Sequence, residues 1–338
     1  MTETLLSVRD LRVEFHTDAG VVKAVDGVSF DVARGEVFSI VGESGSGKSV
    51  ACMSLLGLIP NAKVVGGEAW WKETDLLQAR PELLRRIRGG EIAMIFQDPL
   101  TALNPVHRVG RQIGEMVRIH ERASKREARD RAIELLDLVG IPQAERRVDN
   151  YPHEFSGGMR QRAMIAMAIA CEPDLLIADE PTTALDVTVQ AQVLEVLLEI
   201  KDRINSAIVL ITHDLGVVAG MADRVMVMYA GRAVEMGTTD EIFYDMLHPY
   251  TVGLLASLPR VDATGEELVP IRGAPPSLIH VPAGCPFHPR CDYARLPTPC
   301  STVVPEFDPV PGKNPDHRSA CHFAEELAGE RERGKARA

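Results

Sequence analysis

The spacing of apolar and polar positions divides the chain into stretches of different predicted secondary structure. Residues 5–96 show short β-rich runs between turns, residues 98–155 show helical spacing, and residues 159–237 alternate between strand and helix patterns. Short runs that are mostly or entirely apolar, such as Val37–Val41 and Leu175–Ala178, are typical of parallel strands buried on both faces. The pattern predicts an α/β core that is interrupted by a helical insertion.

The residue composition of the chain changes sharply after residue 258. Beyond it lie 13 of the 22 prolines and four of the six cysteines, so the regular alternation of strands and helices should stop there. We therefore predict a core at residues 1–257, with a helical subdomain at about 98–158, and a small loop-rich domain at residues 258–338. The charged residues 325–338 are expected to form a frayed tail.

Composition and charge narrow the class of protein. With 338 residues and 45% hydrophobic positions, the chain can bury a substantial core. Its net charge of −11, from 37 basic and 48 acidic residues, argues against nucleic acid as the main partner. No run reaches the ~18 to 20 apolar residues of a membrane span, and residues 1–13 lack the apolar segment of a signal peptide. We expect a cytoplasmic protein that reaches any membrane process by docking on proteins that span the membrane.

A glycine-rich loop between the strand pattern 37–41 and a helix pattern at 50–56 fits G-x-x-x-x-G-K-[ST]. Its residues are Gly42, Glu43, Ser44, Gly45, Ser46, Gly47, Lys48 and Ser49. The glycines would let backbone N–H groups surround phosphates, Lys48 would reach the β- and γ-phosphate oxygens, and the Ser49 hydroxyl would ligate Mg²⁺. The loop therefore predicts binding of ATP with Mg²⁺.

Two carboxylates follow the apolar run 175–178. A buried parallel strand delivers such residues to its carboxyl end, where nucleotides bind. Asp179 would hold Mg²⁺, and Glu180 would orient and deprotonate the attacking water. An Asp-Glu pair after a strand usually lies in a solvated loop. We assign this pair a catalytic role because a phosphate-binding loop lies upstream in the same chain.

Two further polar residues end predicted strands. Gln97 follows the run 92–96, and its amide would sense Mg²⁺ and the attacking water. His213 follows the run 208–212, and its imidazole would hydrogen-bond the γ-phosphate. Both residues join Glu180 as catalytic candidates.

The segment Ser156-Gly157-Gly158 precedes a helical pattern at residues 159–170. Ser156 is a good N-cap, and the two glycines leave backbone N–H groups uncovered, so the helix start offers donors and a positive dipole to an anion. On its own the segment would be an ordinary capped helix. Beside the other motifs, we interpret it as a second site for a γ-phosphate on the same chain.

Two such sites per chain, used across a dimer, resemble the ABC ATPases. Five segments resemble, more narrowly, the ATP-binding subunits of bacterial oligopeptide/dipeptide ABC importers. They are Ile95–Pro105, Tyr151–Gly158, Ala178–Asp186, His248–Thr251 and Gly284–Cys291. The resemblance implies an ABC-type P-loop NTPase core with a helical subdomain. It also implies that Asp186 lies in the loop that crosses between two ATPase subunits, and that Phe15 places its ring against adenine. A plain core position on the first strand is an equal alternative for Phe15.

The resemblance implies partners as well. A second ABC ATPase subunit, a paralogue in this family, would complete an ATP sandwich that closes against two transmembrane permease subunits at the cytoplasmic face of the membrane. An extracytoplasmic binding protein would deliver di- or oligopeptides, while related importers carry nickel, glutathione or oligosaccharides. A soluble ABC ATPase of translation or DNA repair is the alternative class. Such proteins usually carry two nucleotide domains or basic nucleic-acid surfaces, and this sequence shows neither.

Four late cysteines predict a metal centre in the appended domain. They are Cys285, Cys291, Cys300 and Cys321, in the spacing C-x₅-C-x₈-C-x₂₀-C. Disulfides are disfavoured in a cytosolic chain, and the spacing leaves an iron–sulfur cluster, zinc and unliganded buried thiols open. The importer family has members whose corresponding cysteines hold a [4Fe-4S] cluster, so the resemblance favours that cluster, with Zn²⁺ as the alternative.

Two expectations follow for the cysteines. Because His213, the last nucleotide motif, lies far upstream of Cys285, single Cys→Ser changes should leave ATP binding unaffected while loosening the appended domain and its contacts with partners. Cys52 and Cys171 lie in predicted helices and are expected to be small core residues.

Overall fold

The protein is described here from a computed structural model, which covers residues 3–183, 185–257 and 270–335, with side chains to residue 329. Its strands are β1 (Thr4–Thr17), β2 (Gly20–Ala33), β3 (Val37–Val41), β4 (Ala62–Trp71), β5 (Thr74–Asp75), β6 (Ile92–Ile95), β7 (Leu175–Asp179), β8 (Ala207–Thr212), β9 (Arg224–Tyr229), β10 (Arg232–Thr238), β11 (Asp308–Pro309) and β12 (Arg318–Ser319). Its helices are α1 (Lys48–Leu55), α2 (Pro81–Ile87), α3 (Pro99–Ala102), α4 (Val109–His120), α5 (Lys125–Leu138), α6 (Ala144–Arg147), α7 (Gly157–Ala168), α8 (Val187–Ile204), α9 (Leu215–Met221), α10 (Thr239–Tyr244), α11 (Pro249–Ala256) and α12 (Ala324–Lys335).

The chain forms two compact units, each assembled from separate stretches. Among the described residues, the first unit contains residues 3–6, 31–37, 71–183 and 185–211, and the second contains residues 7–30, 38–70, 212–257 and 270–335. The predicted domain boundary after residue 257 falls at the edge of residues 258–269, which lie outside the described part of the chain.

The first unit is built on parallel strands. The strand β7 pairs with β6 on one side and with β8 on the other, both in parallel. Every residue of β7 and β8 is buried, which explains why both are nearly continuous apolar runs. The strands predicted from residues 92–96, 175–178 and 208–212 are confirmed to within one residue at each end.

The helices of the first unit pack on one another, and α7 also contacts β6. Helices α4 and α5 pack on each other, and both contact α7. The helix α5 begins with a capping box, in which the Ser124 hydroxyl accepts the Glu127 N–H while the Glu127 carboxylate accepts the Ser124 N–H. These two hydrogen bonds define the start of the helix at Lys125.

The second unit contains a mixed sheet. Its strand β3 lies parallel to β9, β9 is antiparallel to β10, and β12 and β11 extend the sheet beyond β10. A second sheet has β1 between β2 and β4. Because β11 and β12 come from the proline-rich late region, part of that region continues the sheet of the core strands and is not structurally separate from them.

A buried carboxylate joins the late region to β10. Glu235 accepts hydrogen bonds from the N–H groups of Leu247, at 2.6 Å, and His248, at 2.9 Å, and its Oε1 lies 3.1 Å from His317 Nε2. Glu235 and His317 are both fully buried. Burial also lowers the pKa of His248 to about 3, so its ring is neutral and its Nδ1 accepts the Tyr250 N–H.

Removing the Glu235 carboxylate should destabilise the protein strongly. Glu235→Ala leaves two buried backbone N–H groups without an acceptor, and we expect the free energy of unfolding to fall by about 3 kcal/mol. Urea denaturation of the purified chain measures the change. Asp240→Ala, which removes an exposed carboxylate from α10, is the control and should have little effect. Similar stability of the two variants would contradict this reading of Glu235.

Two expectations about local structure are wrong. Residues 324–335 form α12 where a frayed tail was expected from residue 325, because Ala324, Leu327 and Ala328 give the helix a buried side. Cys171 lies in a turn, because α7 ends at Ala168. Cys52 lies buried within α1, as expected.

Candidate nucleotide-binding site

The phosphate-binding loop of the second unit joins β3 to α1, as the sequence predicts. Two of its glycines are required by close backbone contacts. A Cβ on Gly42 (φ 150°) would lie 2.2 Å from the carbonyl oxygen of Met228, and one on Gly47 (φ 100°) would lie 2.2 Å from that of Ala24. The loop can therefore keep this shape only with glycine at both positions.

The lysine of this loop is buried and held by the loop itself. Lys48 Nζ donates to the carbonyl oxygens of Gly42, at 2.8 Å, and Glu43, at 3.0 Å. It also lies 3.5 Å from the hydroxyl of Ser46. The Gly231 N–H donates to the Ser46 carbonyl, so the turn between β9 and β10 supports the loop. The ammonium group of Lys48 is thus held by carbonyl oxygens of its own loop.

The catalytic candidates of the first unit meet at the carboxyl end of β7. Asp179 is the last residue of that strand and is buried. Glu180 follows, and its Oε2 accepts hydrogen bonds from Gln97 Nε2, at 2.7 Å, and from the Thr183 hydroxyl, at 2.8 Å. Sequence reasoning selected Gln97 and Glu180 separately, and the structure brings their side chains into contact. Sequence reasoning did not select Thr183, because a threonine within a polar loop gives no distinguishing signal.

Glu180 has a strained backbone. Its φ is +47°, a left-handed conformation that costs energy for a residue with a Cβ. The Glu180 N–H donates to the Ile211 carbonyl at 2.8 Å, which holds the residue in place. Such strain concentrates at functional sites, and this agrees with the role predicted for the carboxylate.

The helix α7 begins with the N-cap that the sequence predicts. Ser156 caps the helix, with its hydroxyl accepting the Met159 N–H, and Gly157 faces open space, since a Cβ there would meet nothing within 4 Å. Gln161, buried one turn into the helix, donates to the Pro181 carbonyl at 2.6 Å. This bond ties the helix to the loop that follows Glu180.

The remaining candidate residues are Asp186, Gly158, His213 and Phe15. Asp186 caps α8 by accepting the Val189 N–H, and Gly158 packs against Val189, whose Cγ1 would lie 2.9 Å from a Cβ. In the second unit, His213 is exposed beyond the end of β8, and Phe15 is half-buried on β1.

The candidates divide between the two units. Gln97, Ser156, Gly157, Gly158, Asp179, Glu180 and Asp186 belong to the first unit. The phosphate-binding loop, Phe15 and His213 belong to the second.

The four late cysteines are neighbours in the second unit. Burial, together with the nearby charges of Cys285, Cys291 and Cys300, raises the pKa of Cys321 to about 12. Burial likewise raises the pKa of Cys291 to about 11, and that of Cys285 above its usual value. The Cys285 N–H donates to the Cys300 carbonyl at 2.8 Å. The raised pKa values of Cys285, Cys291 and Cys321 favour the thiol form of these three side chains, which the sequence did not predict.

The predicted metal centre is not supported by the geometry. Within residues 3–183, 185–257 and 270–335, no three or more His, Cys, Asp or Glu side chains are arranged to hold a metal ion. The donor type suits an iron–sulfur cluster or zinc, and the thiols are close enough to influence one another's pKa, but their present spacing does not form a ligand set.

Solved structures define the fold. The dimeric ATP-binding cassette MJ0796, bound to ADP and Pi, matches with a TM-score of 0.63 and 25% identity over 69% of this chain and 98% of that one. The cbiO1 protein of Clostridium perfringens, part of the ABC transporter complex cbiONQ, matches with a TM-score of 0.60 and 28% identity over 71% of this chain and 91% of that one. The predicted ABC-type α/β core is confirmed, and the fold is that of an ABC ATP-binding cassette.

Sequence relatives define the family. Residues 25–183 match the model for "ABC transporter", and residues 234–297 match that for "Oligopeptide/dipeptide transporter, C-terminal region". The dipeptide transport ATP-binding protein DppD of Bacillus subtilis is 57% identical over 305 residues, or 90% of each chain. The oligopeptide transport ATP-binding protein OppD of Escherichia coli is 50% identical over 311 residues, or 92% of each chain. The chain belongs to this family of ABC transporter ATP-binding proteins.

From the sequence we also expected the chain to reach a membrane only by docking on proteins that span it. In the part of the chain that the structure describes, no helix combines the length and apolar character needed to cross a membrane.

Proposed function

We propose that this chain hydrolyses ATP to power the import of dipeptides or oligopeptides through an ABC transporter. The observation that carries the proposal is its 50–57% identity to peptide-transport ATP-binding proteins over at least 90% of the chain. The match of residues 234–297 to the peptide-transporter C-terminal model supports the choice of cargo. Related importers of nickel, glutathione or oligosaccharides remain the alternatives to be tested.

The nucleotide would be held by the phosphate-binding loop and the carboxylates after β7. Lys48 would contact the β- and γ-phosphates, while Ser49, Gln97 and Asp179 would bind Mg²⁺. Glu180 would act as the general base for water, and the contact with Gln97 supports this role because it orients the carboxylate. His213 would donate to the γ-phosphate.

The second half of each ATP site would come from another ATPase subunit. The open start of α7, with Ser156 as its cap, suits the γ-phosphate of ATP bound by that subunit. Asp186, at the start of α8, would lie at the contact between the two subunits. The dimer described for MJ0796 is a precedent in a protein of the same fold.

The closing ATPase pair would act on two membrane permease subunits from the cytoplasmic face of the membrane. A binding protein outside the membrane would present the peptide. The second ATPase subunit would be a paralogue, as the sequence resemblance implies. In this arrangement the chain supplies the energy and other subunits select the cargo.

Uptake measurements test the proposed cargo. A strain that lacks this chain but retains the permease and binding-protein subunits should fail to take up labelled di- and oligopeptides, and the wild-type chain should restore uptake. Glu180→Gln should not restore it. Loss of nickel, glutathione or oligosaccharide uptake, with peptide uptake intact, would replace peptides by that cargo. Unchanged uptake of all four classes would overturn the importer assignment.

We further propose that the four late cysteines hold a [4Fe-4S] cluster, with Zn²⁺ as the alternative. Their mutual influence on pKa supports this, because it requires the thiols to be near one another. Their burial in a region with little regular structure supports a structural role for the bonds. Binding would require the thiols to lose their protons and draw together.

Metal analysis decides between these centres. Protein purified without oxygen should contain about four iron atoms per chain and absorb in the visible range, and Cys291→Ser should lose both signals. Cys171→Ser, which changes a thiol in the other unit, is the control and should keep them. About one zinc per chain without iron would favour the alternative. A metal-free chain would reject both.

A further inference from the structure

An ion pair connects the cysteine-bearing loop to the phosphate-binding loop. Both guanidinium Nη atoms of Arg290 contact the Glu43 carboxylate, with Nη1 2.6 Å from Oε2 and Nη2 2.9 Å from Oε1. Glu43 is the second residue of the phosphate-binding loop, and Arg290 immediately precedes Cys291. The two residues are far apart in the sequence, and both belong to the second unit.

The pair is well ordered by its surroundings. Only 6% of the Arg290 side chain is exposed. Its Nε donates to the Arg272 carbonyl at 2.9 Å, and its guanidinium carbon lies 5.7 Å from the centre of the Tyr229 ring. Two parallel bonds from a fixed, largely buried guanidinium restrict a carboxylate more than a single flexible contact would.

Glu43 is held at every polar group of the residue. Its N–H donates to the Tyr250 hydroxyl at 2.8 Å, and its carboxylate accepts from Arg290. Its carbonyl accepts from Lys48 Nζ at 3.0 Å. The position of Glu43 therefore determines where one of the acceptors of the phosphate-binding lysine lies.

The far end of the link is also anchored. Phe287, in the same turn as Arg290, packs its ring against Tyr229 and Tyr250, with centroids 5.3 Å away in both cases. Tyr250 contacts Glu43 as well, so the aromatic cluster and the ion pair brace the same residue of the loop from two sides. This arrangement gives Arg290 a fixed base from which to position Glu43.

We propose that Arg290 is a positioning residue for nucleotide binding, which acts through Glu43 on the backbone that surrounds Lys48. Arg290 does not itself touch the nucleotide in this proposal. Loss of the Arg290 side chain lets Glu43 move, and the phosphate-binding loop then populates conformations that bind phosphate poorly. The proposal rests on the proposed function of the loop as an ATP site, and it gives the late region a direct part in nucleotide affinity.

A double-mutant cycle tests the link in the full-length chain. Arg290→Met and Glu43→Gln should each weaken MgADP binding by about tenfold, and the double variant should bind no worse than about tenfold below wild type, because both remove one interaction. Arg290→Lys keeps the charge without the paired bonds, and it should weaken binding by about threefold. Arg272→Met, which removes an exposed arginine paired with Asp292, is the control and should match wild type.

Turnover separates positioning from a general loss of structure. In the assembled transporter, Arg290→Met should raise KM for ATP by about tenfold and leave kcat within about twofold. A misfolded subunit would instead lower kcat through loss of active protein. If Arg290→Met does not fold, Arg290→Lys and Glu43→Gln report on the same link from both ends.

Two outcomes would overturn the proposal. One is wild-type affinity for MgADP in all single variants, and the other is a double variant about a hundredfold weaker than wild type, which would show independent effects. A wild-type chain that binds neither MgADP nor MgATP would instead overturn the proposed function, so the two failures can be distinguished.

Discussion

Replacing Glu180 by glutamine should leave MgATP binding intact and lower turnover by a factor of about 10² or more. Glutamine keeps the shape of the side chain and an oxygen for Gln97 and Thr183, but it cannot take a proton from water. ATP should then accumulate in a closed dimer of ATPase subunits. ATP hydrolysis by the assembled transporter and nucleotide binding to the purified chain measure the two effects.

A matched control for Glu180 lies in the same unit. Glu172 has nearly the same backbone conformation, with φ +48°, and its carboxylate pairs with Arg131 at 2.6 Å. Glu172→Gln should therefore hydrolyse ATP at the wild-type rate. Wild-type turnover in Glu180→Gln would remove Glu180 from the role of general base, and equal losses in both variants would indicate an effect on folding.

Lys48→Ala and Ser156→Arg should both stop transport, but at different steps. Lys48→Ala removes a charged donor to phosphate, and the isolated chain should bind ATP at least about tenfold more weakly. Ser156→Arg should leave that affinity unchanged and block ATP-driven dimerisation, because the arginine occupies the open start of α7. Nucleotide titration of the isolated chain and its elution volume with MgATP measure the two steps.

The capping serine needs its own control, since its loss also weakens a helix. Ser124→Arg removes the cap of α5 in the same unit and should reduce stability by a similar amount, about 1 kcal/mol, while dimerisation continues. Equal losses of ATP affinity in Lys48→Ala and Ser156→Arg would contradict an ATP site shared between subunits.

Local signals made the core predictable from the sequence. Leu175–Asp179 is buried on both faces, so its apolar run identifies a strand without any knowledge of its neighbours. Ser156 caps α7 through its own hydroxyl and a nearby N–H, and the glycines at 42 and 47 stand at fixed positions of the G-x-x-x-x-G-K-[ST] motif. Each of these features depends on residue type at a fixed position, which the sequence displays directly.

Contacts between distant parts of the chain could not be predicted in this way. The expectation that single Cys→Ser changes leave ATP binding unaffected relied on sequence separation, and the pairing of Arg290 with Glu43 removes that reason. Nothing in the proline-rich composition indicates that β12 pairs with β10, or that Glu235 meets His317. These contacts depend on how the chain returns to its own core, and periodicity carries no information about that path.

The backbone conformation of Glu180 has a consequence for attempts to make this protein more heat-resistant. Glycine and asparagine adopt a left-handed φ at lower cost than glutamate, so the substitutions that relieve the strain are the ones that delete the carboxylate. A selection for survival of the fold alone would favour them. Laboratory evolution toward higher melting temperatures should therefore retain a transport screen in every round, because otherwise inactive proteins would be enriched at this position.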